Sequence, residues 1–397
     1  MSGIVTSDEP VVFDFLQDEE PPAPRPRASE RSGRALRWLG RAITSASDWI
    51  FGAVALTIGL SVLSATPIAQ FLAFGYLLEA GGRVARSGRL RDGLVGVRKA
   101  SRLGSMVIGV SLFLWPLQLI SSLAFSAQLV DPGGPASRLG KFAVVAGTVL
   151  YVLHIIAACA RGGRVRHFLM PFGNPWWIVR RLRRGGAYAE ARDAVWTFAA
   201  SLRLPYYFRL GLLGFLGTMI WLVIPISLLA AGRLAPFWNL PGMILLGMVA
   251  LPLPYLQARF AAENRFRALF ELRAVRERFQ RAPWAFAFAL TLTLLGAVPL
   301  YLLKIEIVPR ETIWLPSVVF LVFMYPARVL TGWAYGRSIR REPRRHWFFR
   351  WTGRLEMLPV VLFYLLIVYF SQFTAWRGVW SLYEQHAFLL PVPFLGI

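Results

Sequence analysis

Three ionisable side chains stand inside or at the end of otherwise uncharged stretches: Glu79, His154 and Arg328. A carboxylate there could hold a cation or a proton. An imidazole could relay a proton or ligate a metal, and a guanidinium could grip a carboxylate or a phosphate. Together the three could line the polar path of a transporter. Each also has a plainer reading. Glu79 reaches Arg83 at i,i+4, with a pairing to Arg328 as its functional version. His154, central in Phe142–Ala160, is preferred as a hydrogen-bonded link to a neighbouring helix. Arg328 follows Tyr325-Pro326, and its preferred role is to snorkel toward water.

A second chemistry is written in Asn174-Pro175-Trp176-Trp177-Ile178-Val179-Arg180-Arg181-Leu182-Arg183-Arg184. Asn caps helices and Pro suits the first helical position, so a helix is expected to follow. Trp176 and Trp177 would sit at headgroup depth while Arg180, Arg181, Arg183 and Arg184 meet anionic phospholipid headgroups. Each such cation is worth up to about 1 kcal/mol. Read narrowly, the segment recognises an anionic lipid; read broadly, and preferably, it is an interfacial anchor.

No enzymatic chemistry is legible, and no catalytic residue, cofactor or metal is expected. Gly134–Lys141 has one residue too many for a phosphate loop. HExxH and GxSxG are absent, and the histidines at 154, 167, 346 and 386 show no ligand spacing. The single Cys159 excludes a disulfide framework.

The elements that must position these groups are greasy. Of the 397 residues, 56% are hydrophobic and 16% charged, too apolar for an ordinary soluble surface. Uncharged runs occur at Trp49–Leu78, Leu103–Val130, Phe142–Ala160, Leu210–Gly232, Leu234–Ala258, Ala282–Leu303, Thr312–Ala327 and Leu358–Trp376. A bilayer-crossing helix needs roughly 20 apolar residues, which most of these runs supply, the Thr312 run by continuing past Arg328. Trp49, Trp238, Trp284, Trp314 and Trp376 lie near run ends, where a headgroup-level ring is expected. Trp115 and Trp221 lie mid-run and are expected to pack between helices. Gly211, Gly214 and Gly217 form a small-residue stripe that admits a close neighbour.

The net charge of +23 suggests nucleic acid until its location is read. Of the 44 basic residues, 37 fall in Arg25–Arg41, Arg83–Arg102, Arg161–Arg209, Arg259–Arg281 and Arg337–Arg354. Each segment abuts an apolar run, which is the positive-inside pattern; nucleic acid is not the expected partner. Both flanks of Trp49–Leu78 are basic. Two short helices hinged at Ala65-Thr66-Pro67, entering and returning on one side, are therefore favoured over one long tilted helix. Gln257–Arg281 reads as one amphipathic connector helix.

Residues 1–46 read as a disordered cytoplasmic tail with a short interfacial helix around Leu36, Trp38, Leu39 and Ile43. Val11–Leu16 in that tail could dock a protein partner. Residues 47–397 read as the polytopic domain, with a weak internal repeat, 49–130 and 234–303, marked by Pro67/Pro116 and Pro252/Pro299. Ala387–Ile397 is apolar but too short to span.

Around Pro67-Ile68-Ala69-Gln70-Phe71-Leu72-Ala73-Phe74-Gly75-Tyr76-Leu77-Leu78 and Arg83-Val84-Ala85-Arg86-Ser87-Gly88 the chain resembles an uncharacterised family of prokaryotic multi-pass membrane proteins, a domain of unknown function. The resemblance implies a membrane bundle and no activity. The expected molecule is an all-α integral membrane protein, a polytopic helical bundle of about 7–9 spanning or re-entrant helices. Basic cytoplasmic amphipathic connectors join them, in the cytoplasmic (inner) membrane with the N-terminus inside. Its expected role is non-enzymatic, organising anionic lipid or a partner protein. A transporter or transport-accessory permease is the alternative.

Overall fold

The helix breaks at Pro67. Helix α1 covers Ala28–Ala65 and α2 covers Gln70–Ser87. Pro67 has no N–H to continue the ladder, and the Thr66 carbonyl instead accepts from Gln70 N–H at 2.9 Å. One long tilted helix does not form. Nor is the first arm short, since Ser45–Ala65 alone is long and apolar enough to cross a membrane.

The computed structural model describes residues 28–163, 165–170, 173–183, 185–303, 305, 314–375 and 378–383. Among them every regular element is a helix, and eight helical stretches are long and apolar enough to cross a membrane. The tail's Val11–Leu16 motif, Arg184, Trp376 and Ala387–Ile397 lie outside the described residues. The chain divides into two units, Met1–Ser47 and Asp48–Ile397. The described part of the first is the opening of α1; the packed bundle is the second.

After α2 come α3 (Val97–Val130), α4 (Pro135–Ala160), α5 (Val165–Phe168), α6 (Gly173–Arg183), α7 (Ala187–Ser201) and α8 (Leu204–Ala231). Next are α9 (Asn239–Ala250), α10 (Leu253–Glu263), α11 (Leu272–Arg281), α12 (Pro283–Leu295), α13 (Val298–Leu302), α14 (Trp314–Ile339) and α15 (Trp347–Thr374).

Helix α2 is the surprise. Its Glu79-Ala80-Gly81-Gly82 stretch reads as an exit from the bilayer, yet 13 of its 18 residues are buried. It packs against α8, α10 and α14. Glycine makes this approach possible. A side chain at Gly75 would overlap the Tyr207 carbonyl, and one at Gly211 the Phe71 carbonyl. Gly81 and Gly332 do the same between α2 and α14. The Gly211/Gly214/Gly217 stripe thus seats α2, with Leu78 over Gly214, and receives Leu269 at Gly217. Close backbone contact of this kind is how helices hold together where lipid competes for apolar surface. Helix α2 ends at Gly88 in the left-handed region (φ 76°), whose N–H donates to Val84 O at 2.7 Å.

The connector after α10 is not one helix. Asn264 adopts the left-handed conformation (φ 52°) and closes α10 by donating to Phe260 O; Asn tolerates that region better than most residues. A 3₁₀ turn (Phe266–Phe270) and then α11 follow. The proline pairs are likewise unequal. Pro67 and Pro252 stand at helix breaks, but Pro116 sits inside unbroken α3 and Pro299 in the first turn of α13.

Helices α3 and α4 pair with each other and with α5 and α6. They bury little else: 11% of the most apolar window in α3 is buried and 17% in α4, against 50% in the Pro283–Leu302 stretch. Trp115 on α3 is 72% exposed and so does not pack between helices. Trp221 does, donating Nε1–H to Leu269 O at 3.0 Å and stacking on Phe270.

Candidate functional site

Glu79 lies on the buried face of α2, 2% exposed. Its Oε1 accepts from Arg83 Nε at 2.9 Å and from Arg86 Nη2 at 2.8 Å, and its Oε2 accepts from the Tyr206 hydroxyl at 2.7 Å. The i,i+4 partner Arg83 is thus met, as the sequence suggests. The pairing with Arg328 is replaced by Arg86 and Tyr206. Arg86 also donates through Nη1 to the carbonyls of Ala261 and Ala262, at 2.8 and 3.2 Å. Those are among the last carbonyls of α10, where a cation is favoured by the helix dipole. One carboxylate therefore ties α2, α8 and α10 together at a single point.

Arg328 does not snorkel. It is 5% exposed and turned into the bundle, where its guanidinium donates to Gln257 Oε1 on α10. Gln257 Nε2 donates to Thr218 Oγ1 at 2.6 Å, and Thr218 donates to Gly214 O at 2.7 Å. The Phe74 ring centroid lies 5.5 Å from the guanidinium carbon, a cation–π distance. A buried cation needs such partners to be tolerated at all.

His154 sits apart from both, on α4. Its Nε2 lies 3.0 Å from Phe168 O and its Nδ1 3.1 Å from Asn174 Nδ2. A carbonyl only accepts and an amide NH₂ only donates. Those partners fix the neutral tautomer with hydrogen on Nε2 and occupy both ring nitrogens. Asn174 Nδ2 also donates to His167 O at 3.0 Å, and Asn174 Oδ1 accepts from Arg161 at 2.6 Å. The expected cap residue is thus spent on binding α6 to α4: α6 begins at Gly173, so Asn174 already lies in its first turn.

Helix α6 presents Trp176, 73% exposed, with Arg180 and Arg183 also exposed and Trp177 and Arg181 half-buried. Arg184 follows the helix outside the described residues. Among the described residues no group of His, Cys, Asp and Glu could hold a metal ion.

Tyr206, Gln257 and Thr218 are the partners that sequence reading passes over, and Asn174 is read there only as a cap. Gln257 carries a signal, as one of two side-chain amides, with Asn239, in the Leu234–Ala258 run, but it stands at the run's end and reads as the start of the connector. Tyr206 carries no such mark. No family model matches the chain, and no curated protein or solved structure does. The resemblance around Pro67–Gly88 therefore brings no function with it.

Proposed function

We propose that this is a non-enzymatic, multi-pass protein of the cytoplasmic membrane that organises anionic phospholipid through α6, with its basic connectors and N-terminus on the cytoplasmic side. The observation that carries this reading is the α6 surface. An exposed tryptophan and exposed arginines share one short helix, and that helix is pinned by a buried Asn174–His154 link rather than left free. The polar side chains of the interior argue in the same direction. Glu79, Arg328 and His154 each close hydrogen bonds within their own cluster, and His154 lies in the α3–α6 group, away from α2 and α14. That arrangement holds helices in place and favours the lipid role over a solute path.

The test uses the full chain in nanodiscs containing phosphatidylcholine and phosphatidylglycerol, with lipid retained after detergent extraction counted by native mass spectrometry. The protein is expected to retain phosphatidylglycerol selectively. Replacing Arg180, Arg181, Arg183 and Arg184 by Gln is expected to cut that selectivity by at least about tenfold, from up to about 1 kcal/mol per cation. Asn174→Ala keeps the arginines but frees the helix, and is expected to fall between. Unchanged selectivity in the quadruple variant would overturn the reading.

A further inference from the structure

Between α1, the start of α3 and α14 lies a cleft of about 300 Å³, at the lower end of the range of small-molecule sites. Leu60, Val97 and Leu321 form its buried floor, and Val322, 53% exposed, and Pro326 form an open rim. It is closed beside the floor where Gly52 of α1 meets Val97.

Both long walls carry a helix-bending residue at the cleft. Thr57 turns its hydroxyl back onto Ala53 O at 3.0 Å, a bond that bends helices. Pro326 cannot donate to the Val322 carbonyl one turn earlier, which loosens α14 at the rim. The hydroxyls on the lining are already committed, Thr57 to Ala53 O and Tyr325 to Gly93 O at 2.8 Å. Water entering would find few polar partners, and cavities of that kind stay dry or take apolar guests. In the chain Arg91 comes three residues before the lining residue Leu94 and Arg98 directly follows Val97; both are exposed, and Arg91 Nε stands 4.0 Å from the Asp92 carboxylate.

We infer that the cleft between α1, α3 and α14 holds one acyl chain of an anionic phospholipid, with its phosphate at Arg91 and Arg98. Since lipid tails are as apolar as the lining, the chain gains packing rather than escape from water. Selectivity must then come from the two arginines. The inference needs the membrane reading but not the α6 reading, and the two fail separately.

The experiment uses phospholipids carrying a photoreactive diazirine in one acyl chain, with either a glycerol or a choline headgroup. The full chain is labelled in nanodiscs, and adducts are mapped by peptide mass spectrometry. Adducts are expected to concentrate on the peptides holding Leu56, Leu60 and Val322, by about tenfold more for the glycerol headgroup, given two cations at the surface. Ala53→Trp, which fills the cleft, is expected to reduce them to the level of the exposed α4 surface around Val149. Arg91→Gln with Arg98→Gln leaves the walls intact and is expected to abolish the headgroup preference alone, so the test does not depend on Ala53→Trp folding. Adducts spread evenly over α3, α4 and the cleft, or no difference between headgroups, would overturn the inference while leaving a membrane protein in the disc.

Discussion

Glu79→Ala is expected to destabilise the bundle by about 3 kcal/mol, read as the midpoint of SDS-induced unfolding in mixed micelles. Removing one member of a buried ion pair costs about 3–5 kcal/mol, because the partner charge is left uncompensated. The low end applies here, since Arg83 and Arg86 keep side-chain exposures of 36% and 42% and water can take over part of the carboxylate's role. Two milder variants divide the effect. Glu79→Gln keeps an acceptor for Tyr206 and loses the charge, so it should fall between wild type and Ala. Tyr206→Phe removes one hydrogen bond and should cost about 1 kcal/mol. A Glu79→Ala midpoint within about 0.5 kcal/mol of wild type, the range of an ordinary surface change, would mean the cluster holds nothing together.

The largest effect belongs to a methyl group. Gly75→Ala places a Cβ on the Tyr207 carbonyl, with Gly211 N only 2.8 Å away. Both obstacles are backbone, so no side chain can swing aside; α2 and α8 must separate. A loss of about 4 kcal/mol or more is expected, in the range reserved for named structural failures. Gly75→Leu should yield no folded protein on gel filtration in detergent. Gly59 supplies the control. It lies in α1, where a Cβ would meet nothing within 4 Å. There Gly→Ala should be neutral or stabilise by up to about 1 kcal/mol from helix propensity alone. Opposite signs at two glycines of one chain would be hard to obtain unless α2 sits inside the bundle as described.

What can be read from the chain alone depends on which interactions are local. Apolar run lengths locate the crossing-length helices, and Pro67 locates the turn between α1 and α2, because both depend on residues close in sequence. The same holds for Arg83 beside Glu79. The burial of α2 is not legible. Its glycines, glutamate and arginines resemble a segment leaving the bilayer, and only α8, α10 and α14, more than a hundred residues later, give them something to touch. Arg328 shows the limit most clearly. Position near a run end argues for snorkelling, and an amide 71 residues away reverses the answer. Asn264 hides for a subtler reason: its polar flanks suit a continuing helix, while its tolerance of positive φ ends one.

The lipid role depends most on where the basic connectors lie. Cys159 is the one cysteine, so Cys159→Ser gives a clean background for single cysteines at positions 91, 180, 276 and 344. A membrane-impermeant maleimide applied to sealed vesicles of each orientation reads their side directly. All four positions should react only where the cytoplasmic face is outward. Labelling of 180 and 344 from opposite faces would contradict the arrangement and the lipid role built on it.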